Sequence, residues 1–269
     1  MNSMKKLTLF IIFLCIVRLA TAQTRATDLS QTPLKGKVKQ VITYVFRGEN
    51  HTVPDTTAIA EKTIETFDEK GWPLEEKIYD KNDALQERFS FEYIGDSIVV
   101  KKQFDAGGKL FVKYVFKYDG QGKETEFDMN SDAQPQMRLA KINYRCIYQY
   151  DKLGNRVSEE QYIDNDKLTM KTISRYNDQH QRIESDEEQF FGKTFKKSKI
   201  IFTYDKVGNP IKSEIYDADG HLTGGNDTSC DKVDKYGNWL ITTSSYSGHS
   251  SYQGDFTFMN ITKRVIEYY

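Results

Sequence analysis

The stretch from Phe202 to Leu222, FTYDKVGNPIKSEIYDADGHL, has the pattern of a strand, a turn, a second strand and a second turn. Before the first turn, alternate residues are mostly apolar, as a half-buried strand requires. The tetrapeptide DKVG at 205–208 fits a type I turn completed by a glycine in the left-handed region. A second alternation, Ile211 to Ile215, leads to the tight turn DADG at 217–220. The stretch therefore predicts a β-hairpin unit.

The same unit recurs along the chain from about residue 60 to residue 246, with a period of about 28 residues. The first turn of each unit has an Asp-x-x-Gly pattern, seen at Asp68–Gly71, Asp119–Gly122, Asp151–Gly154, Asp205–Gly208 and Asp234–Gly237. A degenerate copy lies at 177–180, and the turn at 93–96 is shortened. We expect the glycines of these turns, among them Gly154, Gly208 and Gly237, to have positive φ. The regular spacing predicts an all-β fold, a repeat-built antiparallel meander.

Within the strands, apolar and polar residues alternate with a period of two. In residues 109–118 apolar side chains face one way and lysines face the other. The residues expected on the inner, apolar face include Tyr114, Phe116, Tyr118, Ile200, Phe202 and Tyr204. A single open sheet would leave this aromatic face wet. We therefore predict about 13 to 16 strands in a strongly twisted sheet that curls or closes on itself.

An outer-membrane barrel is an alternative form of such a closed sheet. The segment LEEKI at 74–78 places charge on both faces of its strand, which disfavours a lipid-facing surface. The final strand, Ile261 to Tyr269, ends in two tyrosines, and this keeps the alternative open.

The intact motif Tyr-Asp-x-x-Gly-Asn, at Tyr150–Asn155 and Tyr204–Asn209, resembles the YD repeats of the RHS family. The variant KYGNW at 235–239 is similar, and so is the style of small exported repeat proteins of Gram-negative bacteria. The resemblance covers roughly residues 60–246 and implies the strand–turn fold. Large RHS proteins build a β-cage around a toxin domain, whereas this chain is far too short for a cage. The resemblance therefore implies no activity, although it suggests an accessory or immunity partner of an RHS-like toxin system as one possible role.

The amino-terminal residues predict export. Lys5 and Lys6 precede an apolar core at 7–17, and Ala-Thr-Ala at 20–22 matches the small-x-small pattern of signal peptidase sites. We predict a signal peptide at 1–22, a flexible leader at 23–34 and a single β-repeat domain at 35–269. Arg18 breaks the apolar run, so a retained membrane helix is not expected and the mature chain has no membrane span. The predicted location is the periplasm, the cell surface or the medium.

Charge and cysteine content limit the partners. The formal net charge is −1 and both signs are interspersed, so we expect no nucleic-acid binding. The mature chain keeps Cys146 and Cys230, which lie about three repeats apart. A disulfide requires Cα atoms within about 7 Å, so we expect two free thiols. No pattern indicates a cofactor.

Candidate sites are few. GDSI at 95–98 resembles the nucleophile block of GDSL-type esterases, but the Asp-x-x-His pair that such enzymes need is missing. The four histidines lack zinc-site spacing. Asp217 and Asp219 are weak calcium candidates, because Thr228 stands where an EF-hand loop needs Glu. Trp72 and Trp239 follow glycine turns, and we expect them at corresponding repeat positions, exposed at the sheet margin and in contact with a ligand.

The favoured interpretation is a non-catalytic binding or scaffold protein of the cell envelope whose partner is an envelope protein or a glycan. The accessory or immunity partner is the second hypothesis, and an envelope hydrolase is the third. An enzyme would show a concave pocket that holds acidic residues with shifted pKa values. The sequence itself contains no catalytic constellation, so we predict that the protein is not an enzyme.

Overall fold

A computed structural model describes residues 34–49, 52–131, 142–164, 166–191, 194–250 and 254–269. The predicted signal peptide lies outside the described residues, as does the predicted leader except for Leu34. The described part contains sixteen strands: β1 Val38–Glu49, β2 Glu61–Phe67, β3 Pro73–Asp80, β4 Leu85–Ile94, β5 Ile98–Asp105, β6 Leu110–Tyr118, β7 Glu124–Ser131, β8 Ile142–Tyr150, β9 Arg156–Ile163, β10 Lys167–Tyr176, β11 Arg182–Phe191, β12 Thr194–Tyr204, β13 Pro210–Asp217, β14 Leu222–Val233, β15 Trp239–Ser250 and β16 Gly254–Tyr268. None of the described residues belongs to a helix that is long and apolar enough to cross a membrane.

The strands form one closed antiparallel barrel. Each strand pairs with the next along the chain, and β16 pairs with β1 to close the ring. At the closure Val41 lies opposite Ile266 on one side and Glu65 on the other. The predicted antiparallel meander is confirmed, and the sheet closes.

The register identifies the inner face of the barrel. Directly paired residues share a face, so Phe116, Phe127 and Cys146 follow one another around the ring. These side chains are buried, whereas Lys113, one residue out of phase, is exposed. The predicted inward residues follow the same pattern: Tyr114, Phe116, Ile200 and Phe202 are buried, and Tyr118 and Tyr204 are half-buried.

Ion pairs between neighbouring strands cover much of the outward face. Lys102 Nζ lies 2.5 Å from Glu92 Oε1, and Lys171 Nζ lies 2.9 Å from Glu160 Oε1. Similar pairs join β6 to β7 and β11 to β12. Such exposed pairs each contribute little to stability, but they make the outer surface strongly hydrophilic.

The Asp of each repeat organises the turns at one end of the barrel. Asp205 Oδ1 accepts hydrogen bonds from the backbone N–H of Val207 and of Asn209, at 2.9 and 2.8 Å, and Asn209 Nδ2 donates to Asp205 Oδ2 at 2.9 Å. Gly208 completes the turn with φ of 93°. Gly154 and Gly237 have φ of 90° and 82°, so the predicted positive φ is confirmed.

The Tyr of the YD motif joins neighbouring hairpins. Its hydroxyl donates to the backbone carbonyl of the fifth residue after the Asp, or after Asn177 in the degenerate copy, of the preceding turn. The bonds run from Tyr93 to Pro73 at 2.6 Å, from Tyr150 to Glu124 at 2.7 Å, from Tyr176 to Arg156 at 2.8 Å and from Tyr204 to Arg182 at 2.8 Å. The motif therefore has a structural function: Asp forms its own turn and Tyr ties that turn to the one before it.

The last Asp-x-x-Gly turn, Asp234–Gly237, also holds the two ends of the barrel domain together. Asn238 Oδ1 accepts the backbone N–H of Lys35 at 2.6 Å, and Asn238 Nδ2 donates to the Lys35 carbonyl and to the Tyr268 hydroxyl, each at 2.8 Å. The Tyr268 hydroxyl donates to the Asp234 carboxylate. Burial acts to raise the pKa of Asp234, but the hydrogen bonds that its carboxylate accepts lower that pKa to about 2.

Candidate functional site in the barrel lumen

The inner surface of the barrel has two contrasting parts. A ring of 16 strands is generally too wide for its own side chains to fill. On β4 to β8 the inward side chains are largely aromatic or branched and buried; this aromatic wall contains Phe89, Val99, Val112, Tyr114, Phe116, Phe127, Tyr144, Cys146 and Tyr148. From β14 through β16 to β1–β3 the inward side chains are mostly polar and half-buried; this polar wall contains Asn226, Thr228, Cys230, Thr242, Ser244, Tyr246, Phe256, Phe258, Asn260, Thr262, Arg264, Thr43, Thr63, Glu61, Glu65 and Glu76.

The polar wall is partly accessible and incompletely hydrogen-bonded. Thr228 Oγ1 and Ser244 Oγ lie 3.0 Å apart, and Asn226 Nδ2 donates to Thr228 Oγ1 at 3.2 Å. The oxygens Asn226 Oδ1 and Asn260 Oδ1 are enclosed, and neither accepts a hydrogen bond from the residues that the structure describes. An enclosed acceptor without a donor costs about 1–3 kcal/mol. This part of the wall therefore has two amide oxygens that can still accept a hydrogen bond.

An aromatic strip adjoins these amides. Tyr246 and Phe258 face each other across β15 and β16 with ring centroids 4.9 Å apart and planes 20° apart. Phe256 continues the strip, with its centroid 6.1 Å from that of Phe258 and its plane 10° away. Gly248 lies opposite Phe256, and a Cβ there would come within 2.8 Å of the ring. The glycine leaves room for the ring to lie flat against the strand.

Charged side chains lie farther along the polar wall. Glu65 lies directly opposite Glu76, and Glu76 Oε2 pairs with Lys101 Nζ at 2.9 Å. Burial, and then the charge of Glu76, raise the pKa of Glu65 to about 7, against the opposing effect of Arg264 and Lys101. Burial likewise lowers the pKa of Arg264. Glu65 is therefore a carboxyl that titrates near neutral pH, directly opposite the carboxylate that pairs with Lys101.

The sequence analysis did not identify the charged residues of the lumen. In LEEKI at 74–78 the inward Glu76 stands between Glu75 and Lys77, which share the outward face. The charge on both faces of this strand is the signal in the sequence. It disfavours a lipid-facing barrel, and it also indicates a lumen that contains ionisable groups.

The expected correspondence of the two tryptophans is wrong. Trp72 is the fourth residue after Asp68, and its N–H donates to Asp68 Oδ1 at 2.9 Å. In the last repeat that role belongs to Asn238, whose N–H donates to Asp234 Oδ1 at 2.9 Å, so Trp239 is one position later. Trp239 is 7% exposed and is therefore not at an exposed margin. Trp72 is half-buried beside Tyr93, with the centroids 4.7 Å apart. Ligand contact by either ring stays a prediction.

The calcium candidates lie on an exposed turn. Asp217 Oδ1 accepts the N–H groups of Asp219 and His221 at 3.0 and 2.9 Å, and its other oxygen lies 3.3 Å from His221 Nδ1. The ligand atoms of these three residues cluster within 4.8 Å of one another. The turn itself accounts for the Asp217 carboxylate, so calcium binding by Asp217 and Asp219 stays a prediction.

Cys146 and Cys230, the cysteines among the described residues, are free thiols, as expected. Cys146 is 2% exposed within the aromatic wall, whereas Cys230 lies on the polar wall and is half-buried. Burial is the main cause that raises the pKa of the Cys230 thiol.

No protein-family model and no curated protein sequence matches the chain. Among solved structures the chain is similar to a porin-like protein from Bacteroides uniformis, with a TM-score of 0.52 and 8% identity over 86% of this chain and 98% of that one. A LolA superfamily protein from Nitrosomonas europaea matches with a TM-score of 0.30 and 10% identity over 86% of each chain. TcdB2-TccC3 matches with a TM-score of 0.29 and 13% identity over 77% of this chain. The match covers only 15% of the TcdB2-TccC3 chain. The first likeness supports the barrel fold, and the other two are too weak to support an argument.

Proposed function

We propose that this protein is an exported, non-catalytic binding protein of the cell envelope that holds a small molecule inside its barrel. The observation that carries the proposal is the polar wall, which combines accessible surface with enclosed polar atoms that lack partners. A site that recognises a polar ligand leaves such groups unpaired until the ligand arrives. The predicted signal peptide supports the location.

The outward face supports placing the ligand inside. Its ion pairs, such as Lys102–Glu92 and Lys171–Glu160, use the charges of one strand to neutralise those of the next. A Lys or Arg facing lipid near the bilayer midplane costs about 2–4 kcal/mol, so this outer surface is suited to water. The sequence predicts ligand contact by Trp72 and Trp239 at the sheet margin, whereas we place the ligand in the lumen.

Native mass spectrometry after incubation with an envelope extract tests the proposal. We expect the wild-type chain to retain a small molecule noncovalently. Thr262→Trp, which fills the polar wall from the inside, is expected to abolish retention. Thr203→Trp makes the same change on the outward face, where Thr203 is exposed, and is expected to retain the ligand fully.

Equal retention by both variants would place the binding outside the lumen and overturn the proposal. No retention by the wild-type chain would do the same. A retained mass that belongs to a sugar, a lipid or a peptide would identify the chemical class.

An envelope hydrolase is the second candidate, favoured by one observation. Glu65 lies directly opposite Glu76, and burial is the main cause that raises the pKa of Glu65 to about 7, which suits a general acid beside a second carboxyl. If the protein is a glycosidase, it should hydrolyse p-nitrophenyl glycosides, and Glu65→Gln and Glu76→Gln should each abolish turnover. Absence of turnover in the wild-type chain, together with ligand retention, would favour the non-catalytic proposal. An accessory or immunity role beside an RHS-like toxin stays a prediction from the repeat motif.

A further inference from the structure

Two features of the polar wall lie side by side on β14, β15 and β16. Asn226 is directly opposite Tyr246, and Tyr246 is directly opposite Phe258. In the next row Thr228, Ser244 and Asn260 follow one another across the same three strands. The enclosed amide oxygens and the aromatic strip therefore form one continuous patch.

The amides indicate the hydrogen-bonding character of the ligand. Asn226 and Asn260 each have an enclosed oxygen without a donor, although both residues keep part of their surface accessible. Rotation about the terminal side-chain torsion, which is broad in Asn, carries such an oxygen toward the lumen. A hydroxyl group can donate and accept, so it satisfies either orientation of an amide. Thr228 and Ser244 add hydroxyl groups to the same patch.

The aromatic strip indicates the shape of the ligand. Tyr246, Phe256 and Phe258 lie nearly parallel, with interplanar angles of 20° and 10° between neighbours, and all three are half-buried. The face of an aromatic ring carries partial negative charge and attracts the partly positive C–H groups of a flat ligand. A sugar ring combines such a C–H face with hydroxyl groups at its edge.

The charges near the patch favour a neutral ligand. The two charged residues directly opposite the patch have opposite signs: Arg47 lies opposite Asn260 and Glu49 lies opposite Phe258. The Arg47 guanidinium also pairs with Glu61 at 2.9 Å. Arg264 and Glu65 lie farther along the wall, beyond the row that contains Thr262. The patch itself therefore presents amide, hydroxyl and aromatic groups.

We infer that the patch formed by Asn226, Thr228, Ser244, Tyr246, Phe256, Phe258 and Asn260 binds a neutral glycan, with sugar rings on the aromatic strip and hydroxyl groups on the two amides. This inference rests on the proposed luminal binding function and names its ligand class.

Saturation-transfer NMR with three soluble probes tests the inference: maltohexaose, cellohexaose and chitohexaose. We expect transfer to at least one of them, strongest for the C–H protons that lie on the rings. Asn226→Leu and Asn260→Leu, which keep the size of the side chain and remove its acceptor, should each weaken binding at least about ten-fold, the effect of losing about 1.4 kcal/mol. Asp227→Ala is the matched control, because Asp227 follows Asn226 on the exposed outward face.

Thermal unfolding of the ligand-free variants separates a binding role from a structural one. If the amide oxygens await a ligand, both Leu variants should melt at or above the wild-type temperature, because each removes an unpaired enclosed group. Loss of stability together with unchanged binding would overturn the inference, as would transfer to none of the three glycans. In the latter case the retention experiment with Thr262→Trp still decides whether the lumen binds another ligand.

Discussion

The aromatic wall and the polar wall belong to one closed antiparallel barrel, yet their inward side chains differ in chemistry. In the aromatic wall Phe116 and Phe127 lie opposite each other with ring centroids 5.0 Å apart. In the polar wall two facing inward positions hold Thr228 and Ser244, whose hydroxyl oxygens are 3.0 Å apart. The Asp-x-x-Gly turn occurs in both parts, at Asp119–Gly122 and at Asp234–Gly237. The comparison shows that the repeat specifies the barrel, while the inward side chains are free to specify a site.

The largest difference between the walls should appear in stability. Phe127 contacts the rings of Tyr114, Phe116 and Tyr144, with centroid distances of 6.0, 5.0 and 6.0 Å. We expect Phe127→Ala to lower the free energy of unfolding by about 3–5 kcal/mol, since it leaves a cavity in a packed cluster. Phe258→Ala, on the accessible strip, should cost about half as much or less. Urea denaturation of both variants measures the difference, and equal costs would contradict the division into two walls.

Trp239 tests how far the accessible part of the interior extends. It begins β15, which belongs to the polar wall, but it is buried at the turn end of the barrel. We expect Trp239→Ala to cost about 3–5 kcal/mol, as for other buried aromatic residues. Trp72→Ala should cost about 1 kcal/mol, because that ring is half-buried. Chemical denaturation measures both costs. If Trp239→Ala were as stable as Trp72→Ala, the Trp239 ring would contribute no more to stability than a half-buried one.

The reaction rates of the Cys146 and Cys230 thiols measure how accessible each wall is. Cys230 on the polar wall should react with a water-soluble disulfide reagent at least about 100-fold faster than Cys146, because the buried thiol reacts only after local opening. Its raised pKa should keep Cys230 slower than a free thiol at the same pH. Reaction rates of the single-thiol variants Cys146→Ala and Cys230→Ala at pH 8 provide the measurement. Similar rates would show that the aromatic wall is as accessible as the polar wall.

Glu65 makes the polar wall sensitive to pH. Its pKa rises to about 7 in the folded chain, so folding favours its protonated form. The associated stability is present below the pKa of the unfolded chain, near 4.5, and is lost as the pH rises through about 7. Glu65→Gln, which keeps the neutral shape, should therefore be more stable than wild type at pH 8 by about 1–3 kcal/mol and nearly equal to it at pH 4.

Unfolding of wild type and Glu65→Gln across pH 4–8 tests this dependence. Glu92→Gln is the control, because Glu92 pairs with Lys102 on the outward face. If the free energy of unfolding of Glu65→Gln changed with pH in parallel with wild type, Glu65 would not be a buried carboxyl with a raised pKa.

The sequence was sufficient for the architecture because the repeat carries it locally. Asp-x-x-Gly turns and the period-two alternation depend on residues close in the chain, so the strands and their order could be predicted. Closure of the ring could be predicted only as a tendency. The contacts that complete it, such as those of Asn238 with Lys35 and Tyr268, join residues about 200 and 30 positions apart.

The candidate site could not be predicted for a related reason. Glu65 and Glu76 lie on separate strands, and each appears among other charged residues that face water. Period-two alternation shows which residues share a face, but it does not show that the polar face of β14–β16 and the charged face of β2 and β3 both turn inward. Trp72 and Trp239 both follow a glycine turn, so the sequence predicts equivalent positions for them. A shift of one residue places the two rings in different environments.

The smallest effect is expected in the turns that recur around the barrel, both in the aromatic wall and outside it. Gly122 joins β6 to β7 in the aromatic wall, and Gly208 joins β12 to β13; their φ angles are 78° and 93°. A β-branched residue forced into this left-handed region is strained, so Gly122→Val and Gly208→Val should each lower the free energy of unfolding by about 1–2 kcal/mol. At Gly208 a Cβ would lie 3.0 Å from Gln181 Nε2, the end of a flexible side chain that can move aside, so the left-handed backbone should dominate the cost.

Gly120→Val is the control for these turn variants, because Gly120 lies in the same turn as Gly122 without a left-handed φ, and a Cβ there meets nothing within 4 Å. Its cost should stay within about 0.5 kcal/mol, as for most surface changes. Urea midpoints of the three variants measure the contrast. If Gly122→Val were as mild as Gly120→Val, the turn would not require positive φ. If Gly122→Val cost several times more than Gly208→Val, the turn of the aromatic wall would differ from a turn outside it, and the repeat would no longer explain the barrel independently of what it encloses.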